Sequence, residues 1–590
     1  MARAIVQREL DRAMFICALF AITPSQAIAA QCHISKYVDI PVTMSGSKPI
    51  VTAQIEGHDA RFILDSGAYY STIAKATALE YGLSVHKAEG ARLVGVGGDT
   101  SLGVALANKF SIAGVTLPHV AFGVGGSDMG YAGLLGQDIL GIADVEYDLP
   151  HGFVRLMKGR DCKDQGMAYW AGSRPMTVVK LAAMQDGQRH TLGTISINGK
   201  TIQAMFDSGA SSSLLTLAAA RRIGVTPTTA GVETDGFATG LGQGRVRQWK
   251  ARFDSIDIGG EAIAKPWIGI MDQSLGEPDM LIGIDFFLTH RIYVDNHNHR
   301  MFVTYEGGPV FGLKPRGAVD SKGMRLDLSD QTNGPTTALG FSQRGAIHLT
   351  HGENEKAIAD FDRAVSLSPN EPQYLLQRAA AHFDSHRPLL GAADIDRALL
   401  LAPHNAEARL ARARLRLDAD DHAAALVDLK AADSALASSS DMRMRLAAMY
   451  GAADVPEAAL ANYEQWLHSH PEDSGRASAF NGRCWARALM NTSLDKAIED
   501  CNAAVRLRPG EASYLDSRAL VHLRRGEWNK ALADYDAALA AEPREAWSLY
   551  ARAIVERRLG RSAQADADRA KALSIDSHIE VRAKRYHIDA

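Results

Sequence analysis

Between residues 35 and 305 the apolar positions come in short runs broken by Gly, Asn and Pro: VTAQIEG, ARFILDSGA, a glycine-rich VGVGGDT, GLLGQDILG and DVEYDLPHGFVRL. The same succession then returns as TISINGK, TIQAMFDSGA, a glycine-rich GFATGLGQG, MLIGIDFFL and RIYVDNHNHRMFV. Apolar runs of strand length bounded by turn formers predict β-strands, and a chain of them predicts a small all-β lobe. Asp65 stands 71 residues before Gly136 and Asp207 stands 76 before Gly283, so the features recur in order at nearly constant spacing. An internal duplication follows, with one lobe over 31–163 and a second over 170–305.

Past residue 305 the pattern changes. Residues 306–335 are rich in Gly, Pro, Asp and Ser without sustained apolar periodicity and read as a linker. Beyond them Ala, Leu and Arg dominate, and prolines at 369, 403, 471, 509 and 543 are spaced by 34, 68, 38 and 34 residues. Small residues keep the same period at Ala357, Gly391, Ala425, Ala459, Ala497, Ala531 and Ala565. A second series runs through Gly345, Ala379, Ala413, Ala447, Ala519 and Ala553, with Trp485 as its exception. Small side chains at two fixed offsets let paired antiparallel helices approach closely, and the 34-residue period resembles tetratricopeptide repeats. About seven units are expected over 336–578, forming an all-α solenoid with a concave surface suited to a protein or peptide ligand.

The N-terminus adds a compartment. Arg3, Arg8 and Arg12 precede an apolar run from Ala13 to Ile22 and a small-x-small site at Ala27-Ile28-Ala29. That order predicts a secretory signal peptide over 1–30, with a run too short to span a bilayer. An exported protein, periplasmic or extracellular, is expected, with no integral membrane segment after signal removal. In an oxidising compartment Cys32 and Cys162, at the two ends of the first lobe, could form a disulfide. Cys484 and Cys501, on the two helices of the fifth repeat, could form another or remain buried thiols.

Composition narrows the classes. The chain of 590 residues is 46% hydrophobic and 22% charged, in the range of folded globular proteins. Its 64 Lys plus Arg against 68 Asp plus Glu leave no overall field to recruit a polyanion, so nucleic acid is not an expected partner. There is no CxxC or Cys/His cluster, so neither a metal nor another cofactor is expected.

The chemistry lies in a strand that runs straight into Asp-Ser-Gly-Ala, twice: Phe62 to Ala68 and Ala204 to Ala210. Two such turns related by a pseudo-twofold axis would set Asp65 and Asp207 face to face. With the glycine-rich hairpin about 30 residues on, and with Leu134-Leu135-Gly136 and Leu281-Ile282-Gly283, the motif set resembles retropepsin-type aspartic proteases. The resemblance implies a multidomain chain: two all-β retropepsin-like lobes forming a pseudo-twofold protease, then the helical solenoid. It implies Asp65 and Asp207 as the catalytic pair, supported by Ser66, Gly67, Ser208 and Gly209. It also implies two flaps, Val94 to Thr100 and Gly236 to Gly244, with Val94, Gly95, Val96, Gly97, Gly98, Gly240, Leu241 and Gly242 against substrate. Retroviral relatives carry one lobe per chain, so the pair could close within this chain or between two chains. A tethered second lobe has the higher effective concentration.

Other readings compete. Asp138 and Asp285 are also paired, but they follow a buried glycine strand and are expected to cap short helices. The family often has arginine before that aspartate, where Gln137 and Ile284 stand here. No GxxxxGK[ST] loop and no GxSxG elbow accompanies the glycine runs, which argues against a phosphate cradle and a serine hydrolase. The expected function is an aspartic endopeptidase acting on a polypeptide substrate. Its alternative is a non-catalytic periplasmic scaffold in which the repeats bind partner proteins and the β lobes are degenerate.

Overall fold

A computed structural model describes residues 32–127, 129–162, 165–182, 190–313 and 335–588. The expected signal peptide and most of the expected linker lie outside them. The chain forms two compact units, Met1–Leu401 and Ala402–Ala590.

In the first unit each lobe starts from a tight hairpin. The strands Lys48–Ile55 and His58–Leu64 pair antiparallel across Glu56-Gly57, and Leu192–Ile197 and Lys200–Phe206 pair across Asn198-Gly199. All four turn residues have positive φ, which matches the twist of the flanking strands. Within Lys48–Ile55 the alternation of Val51, Ala53 and Ile55 with exposed Thr52 and Gln54 turns one face into the core. The second strand of each hairpin ends in the Asp-Ser-Gly-Ala turn.

The apolar strand before each later glycine lies behind that turn. Gly133–Leu135 pairs parallel with His58–Leu64, and Met280–Ile282 with Lys200–Phe206. The backbone N–H of Asp65 donates to Leu135 at 3.0 Å and that of Asp207 to Ile282 at 2.8 Å. Each catalytic-type turn is therefore fixed by a strand contributed about 70 residues away.

The lobes are not separate bodies. A six-stranded sheet takes His33–Pro41, Phe153–Arg160 and Asp144–Asp148 from the first lobe and His290–Asp295, Arg300–Tyr305 and Thr177–Lys180 from the second. The lobes join where Glu146 opposes Tyr293. Buried Glu146 takes Arg155 of its own lobe at 2.5 Å and Arg291 of the other at 2.6 Å. A cut between residues 163 and 170 divides the sequence duplication but crosses this shared sheet. The sulfurs of Cys32 and Cys162 are bonded at one edge of it, where His33 pairs with Arg160.

Two helical hairpins complete this unit: Ala338–Thr350 with Asn354–Leu367, and Pro372–Asp384 with Pro388–Leu401. The first helix packs on the β lobes, where the Gln343 amide donates to the carbonyls of Val42 at 3.0 Å and Gly152 at 2.9 Å. The second unit continues the pattern from Ala406–Asp418 and ends in Ile579–Arg585, beyond the expected limit at 578. The sulfurs of Cys484 and Cys501 are bonded within it.

One feature of the helices escaped the reading of small residues. In five of the described hairpins an arginine of the first helix grips an aspartate of its partner through both nitrogens of its fork: Arg344 with Asp360, Arg378 with Asp394, Arg412 with Asp428, Arg518 with Asp534 and Arg552 with Asp568. Each pair is sixteen residues apart. Where Cys484 replaces the arginine, Arg483 reaches Asp500 instead. Among the described residues no helix is long and apolar enough to cross a membrane.

Candidate active site

The two Asp-Ser-Gly-Ala turns meet within the chain. A Cβ placed on Gly67 would lie 2.4 Å from Cγ of Asp207, and one on Gly209 would lie 2.4 Å from Cγ of Asp65. Each glycine thus makes room for the opposing carboxyl, and any side chain there would drive the acids apart. The turns are locked by a reciprocal pair of hydroxyls. Ser66 N–H donates to Ser208 Oγ at 3.0 Å and Ser208 N–H to Ser66 Oγ at 2.9 Å. Each hydroxyl in turn donates across to the other lobe, Ser66 to Phe206 O at 2.8 Å and Ser208 to Leu64 O at 2.9 Å.

One oxygen of each acid is held by its own turn. Asp65 Oδ1 accepts from the N–H groups of Gly67 and Ala68 at 2.9 and 2.8 Å, and Asp207 Oδ1 from Gly209 and Ala210 at 2.9 and 3.1 Å. The two carboxyls lie within reach of a shared hydrogen bond. Burial, the Asp207 charge and that shared hydrogen bond push Asp65 well above the usual carboxylate range. Burial also raises Asp207, against its hydrogen bonds from Asp65, Gly209 and Ala210. Two carboxyls this close hold one proton between them over the range in which both would otherwise be ionised.

Three further residues neighbour the pair: His190 and Tyr147, which were not singled out from sequence, and Gln137, noted there only as standing where the family often has arginine. His190, just before the strand Leu192–Ile197, interacts with the Gly67 carbonyl and the Asp207 charge, and stacks edge-on against Tyr69 at 6.0 Å. Burial lowers its pKa, partly offset by Asp207 and Glu277. Gln137 donates its amide to Ser66 O at 2.9 Å and approaches Thr191 Oγ1 at 3.4 Å, so this residue in the arginine position ties the first turn to the second lobe. Tyr147 is buried beneath the turns, beside Ser66 and Gln137, and burial raises its phenol. No local motif marks His190 or Tyr147; Lys48 stands where the first lobe would match His190, and Ile284 where the second would match Gln137.

Asp138 and Asp285 serve the fold, but not as helix caps. The N-cap positions are Gly136 and Gly283. The aspartates instead accept from the hydroxyls of Ser71 and Ser213, each at 2.7 Å, and those hydroxyls accept the N–H of Gly136 at 3.0 Å and Gly283 at 2.9 Å. A residue inside the first helical turn can reach the serine just before a neighbouring strand, Thr72–Ile73 or Leu214–Thr216, and this outcompetes capping.

Over the acids lie two hairpins. The first joins Val85–Gly95 to Gly98–Ile112, with Val94 opposite Asp99 and Gly95 opposite Gly98, so Val96 and Gly97 form its tip. The second joins Glu233–Ala238 to Val246–Arg252, with Gly240, Leu241 and Gly242 in its tip. The tips bond to each other: Gly242 N–H donates to Val96 O at 3.0 Å and Gly244 N–H to Gly97 O at 2.8 Å. Gln273 clamps the first tip, accepting from Gly97 N–H and donating to Gly95 O, both at 2.9 Å. Each tip sends one apolar side chain into the opposite lobe. Leu241 packs with Ile50, Ile63, Leu134 and Ala68, whereas Val96 packs with Met205, Leu214, Leu281 and Ala210. Those clusters flank the two aspartate turns. Val94, by contrast, is 73% exposed and points away from them. No group of three or more His, Cys, Asp or Glu residues able to hold a metal occurs among the described residues.

The comparisons agree with this arrangement. A family model described as aspartyl protease matches residues 51–139 and 193–286, and one described as tetratricopeptide repeat matches residues 517–577. No curated protein matches the chain. Similar solved structures include the crystal structure of the APC/C hetero-tetramer Cut9-Hcn1, 15% identical, covering 41% of this chain and 43% of that one at a TM-score of 0.30. Another is that of YrrB, a TPR protein with an unusual peptide-binding site, 18% identical, covering 32% of this chain and 97% of that one at a TM-score of 0.28. The chain thus spans less than half the length of the first of them. The chain carries two regions in tandem that match the aspartyl protease family model, followed by a tetratricopeptide-repeat protein-interaction region.

Proposed function

We propose that the chain is an aspartic endopeptidase whose reaction is run by Asp65 and Asp207. The observation that carries this reading is the mutual approach of the two turns, each glycine vacating the space that the other's carboxyl fills. With one proton between the acids, the ionised member takes a proton from a water molecule while the protonated member donates to the scissile carbonyl. The water oxygen bonds to the carbonyl carbon, and the resulting tetrahedral centre collapses as the amide nitrogen takes a proton and leaves. No covalent enzyme intermediate is needed. Ser66 and Ser208 hold the geometry and do not attack.

The tips around Val96 and Leu241 act as flaps over a polypeptide laid along the acids. In this role they exchange their contacts in the opposite lobe for contacts with substrate, so apolar residues beside the scissile bond are favoured. Export to a periplasm or the cell exterior is part of the proposal, supported by the N-terminal sequence and by two disulfides. The repeats present a partner or the substrate to the lobes.

The test is incubation of the purified chain with an unfolded protein from acidic to neutral pH, beside Asp65→Asn and Asp207→Asn. Cleavage should vanish in both variants while folding is kept. Cleavage that survives either substitution removes the mechanism, and no cleavage by any form favours the binding scaffold.

A further inference from the structure

The second unit carries a half-open cavity of about 1260 Å³, walled by helices from His422–Ala435 to Ile579–Arg585. That is larger than most small-molecule sites, which run to about 1,000 Å³. Its wall is acidic: Asp420, Asp454, Asp516, Glu542, Glu545 and Asp576 face it, against only Arg582 and Arg585.

Both arginines belong to the last helix, and the wall holds them through an indole and a carboxylate. The guanidinium of Arg582 lies 5.3 Å from the centre of the Trp547 ring. Arg585 pairs with Asp454, whose other oxygen accepts from the Tyr586 hydroxyl at 2.8 Å. Arg524 holds the backbone carbonyls of Tyr586 and His587. The unit has thus folded a basic, aromatic segment of its own chain onto carboxylates and an indole.

The same chemistry extends past that segment. Trp485 meets Trp547 edge-on at 5.5 Å. Glu542 makes no ion pair among the described residues, and Glu545 is engaged through one oxygen, which accepts the Ser548 N–H. Buried Asp516 is pushed up to about 7 by burial and by the charges of Glu545 and Glu542, so the wall holds more negative charge than it neutralises. Two hydrogen-bonding atoms among the lining residues also lack partners: the indole N–H of Trp547, a residue only 5% exposed, and Oδ1 of Asn481, one turn from Trp485.

We propose that this cavity binds an extended polypeptide segment carrying arginine or lysine next to an aromatic residue, seated against Trp485 with its cations against Glu542 and Glu545. The proposal rests on the repeats being a protein-interaction region and is independent of the aspartate chemistry. Desolvated cations over an indole and opposite carboxylates supply both affinity and a charge preference.

The test is titration of the full chain at neutral pH with a short synthetic peptide of alternating arginine and tyrosine, read by calorimetry and tryptophan fluorescence, with peptide integrity followed by mass spectrometry. The same peptide with glutamate for arginine serves as the second probe. The arginine peptide should bind and shift the fluorescence, and the glutamate peptide should bind at least about tenfold more weakly. The double variant Glu542→Gln/Glu545→Gln, which keeps an acceptor for Ser548, should weaken the arginine peptide about tenfold and flatten its salt dependence, with the helical circular dichroism signal retained. Equal binding of the two peptides, preference for the acidic one, no saturation by either, or an unaffected double variant would each overturn the proposal. Asp65→Asn/Asp207→Asn should bind the peptide like the parent chain, so loss of cleavage and loss of binding report on separate claims.

Discussion

Ser66 and Ser208 each accept the other's backbone N–H and each donate to a carbonyl of the opposite lobe, so two residues 142 positions apart carry four hydrogen bonds across the pseudo-twofold axis. Both are buried. Ser66→Ala or Ser208→Ala strands an N–H and a carbonyl away from water, and we expect a loss of about 2 kcal/mol for each, read in urea unfolding. Cleavage should fall more than stability does, because the same bonds set the distance between Asp65 and Asp207. Ser208→Thr, which keeps the hydroxyl, should retain most of both.

His190 gives the pair an asymmetric electrostatic neighbour. Its partners are Asp207, Glu277, the Gly67 carbonyl and Tyr69. Below its depressed pKa the ring is cationic and favours the ionised form of Asp207, which holds the acidic limb of activity at lower pH. Above it the ring is neutral and exerts little influence. His190→Gln is therefore expected to move the acidic limb of the pH–kcat/KM profile upward by about half a unit to one unit and to leave the alkaline limb, set by proton loss from the raised Asp65, in place. A parallel shift of both limbs would contradict this assignment.

The contact between the hairpin tips depends on a glycine. Gly97 has φ of +92° and a Cβ there would lie 2.5 Å from Gly244 O. Gly97→Ala should part the tips, lowering kcat/KM roughly ten- to hundredfold with little change in global stability. Steady-state kinetics beside a thermal melt separates the two effects.

Each arginine–aspartate grip in the helices is largely buried on the acid side; Asp534 is 12% exposed by side chain and Arg518 23%. Removing the cation leaves a carboxylate in a poorly solvated hairpin interface. We expect Arg518→Ala to destabilise by about 3 kcal/mol, whereas replacing both residues by apolar ones costs much less. Hydrogen exchange localised to Ala512–Arg524 and Trp528–Ala541 would register the difference.

Asp516 ties stability to pH. Its folded pKa of about 7 lies above the unfolded value near 3.8, so the folded state binds this proton more tightly. Its contribution is fully present below about pH 4 and is lost as pH rises toward 7, by up to about 4 kcal/mol. Asp516→Asn should remove that slope from the difference in unfolding free energy between the two proteins measured at pH 4 and pH 7. An identical pH dependence in the two proteins would refute the coupling.

What could be read in the chain was what depends on local chemistry or on a fixed period. The duplicated Asp-Ser-Gly-Ala turns, the glycine hairpins and the 34-residue recurrence of small residues each need only a few neighbouring positions to be visible. The arginine–aspartate grips were equally periodic, at sixteen residues, but surface-type residues carry no hydrophobic signal and so passed unnoticed.

What only the folded chain decided was how these pieces meet. The sequence left the aspartates free to pair within one chain or between two, and a sheet built from strands of both lobes brings Asp65 and Asp207 together. It placed Asp138 and Asp285 at helix starts, whereas the packing of Ser71 and Ser213 against those helices gave the carboxylates another use. His190 and Gln137 became neighbours of the pair, and Arg585 of Asp454, through contacts spanning tens to more than a hundred residues. Local preference is written in spacing and residue type, but such contacts arise only when separate surfaces compete to be buried, and that competition is settled by the whole fold.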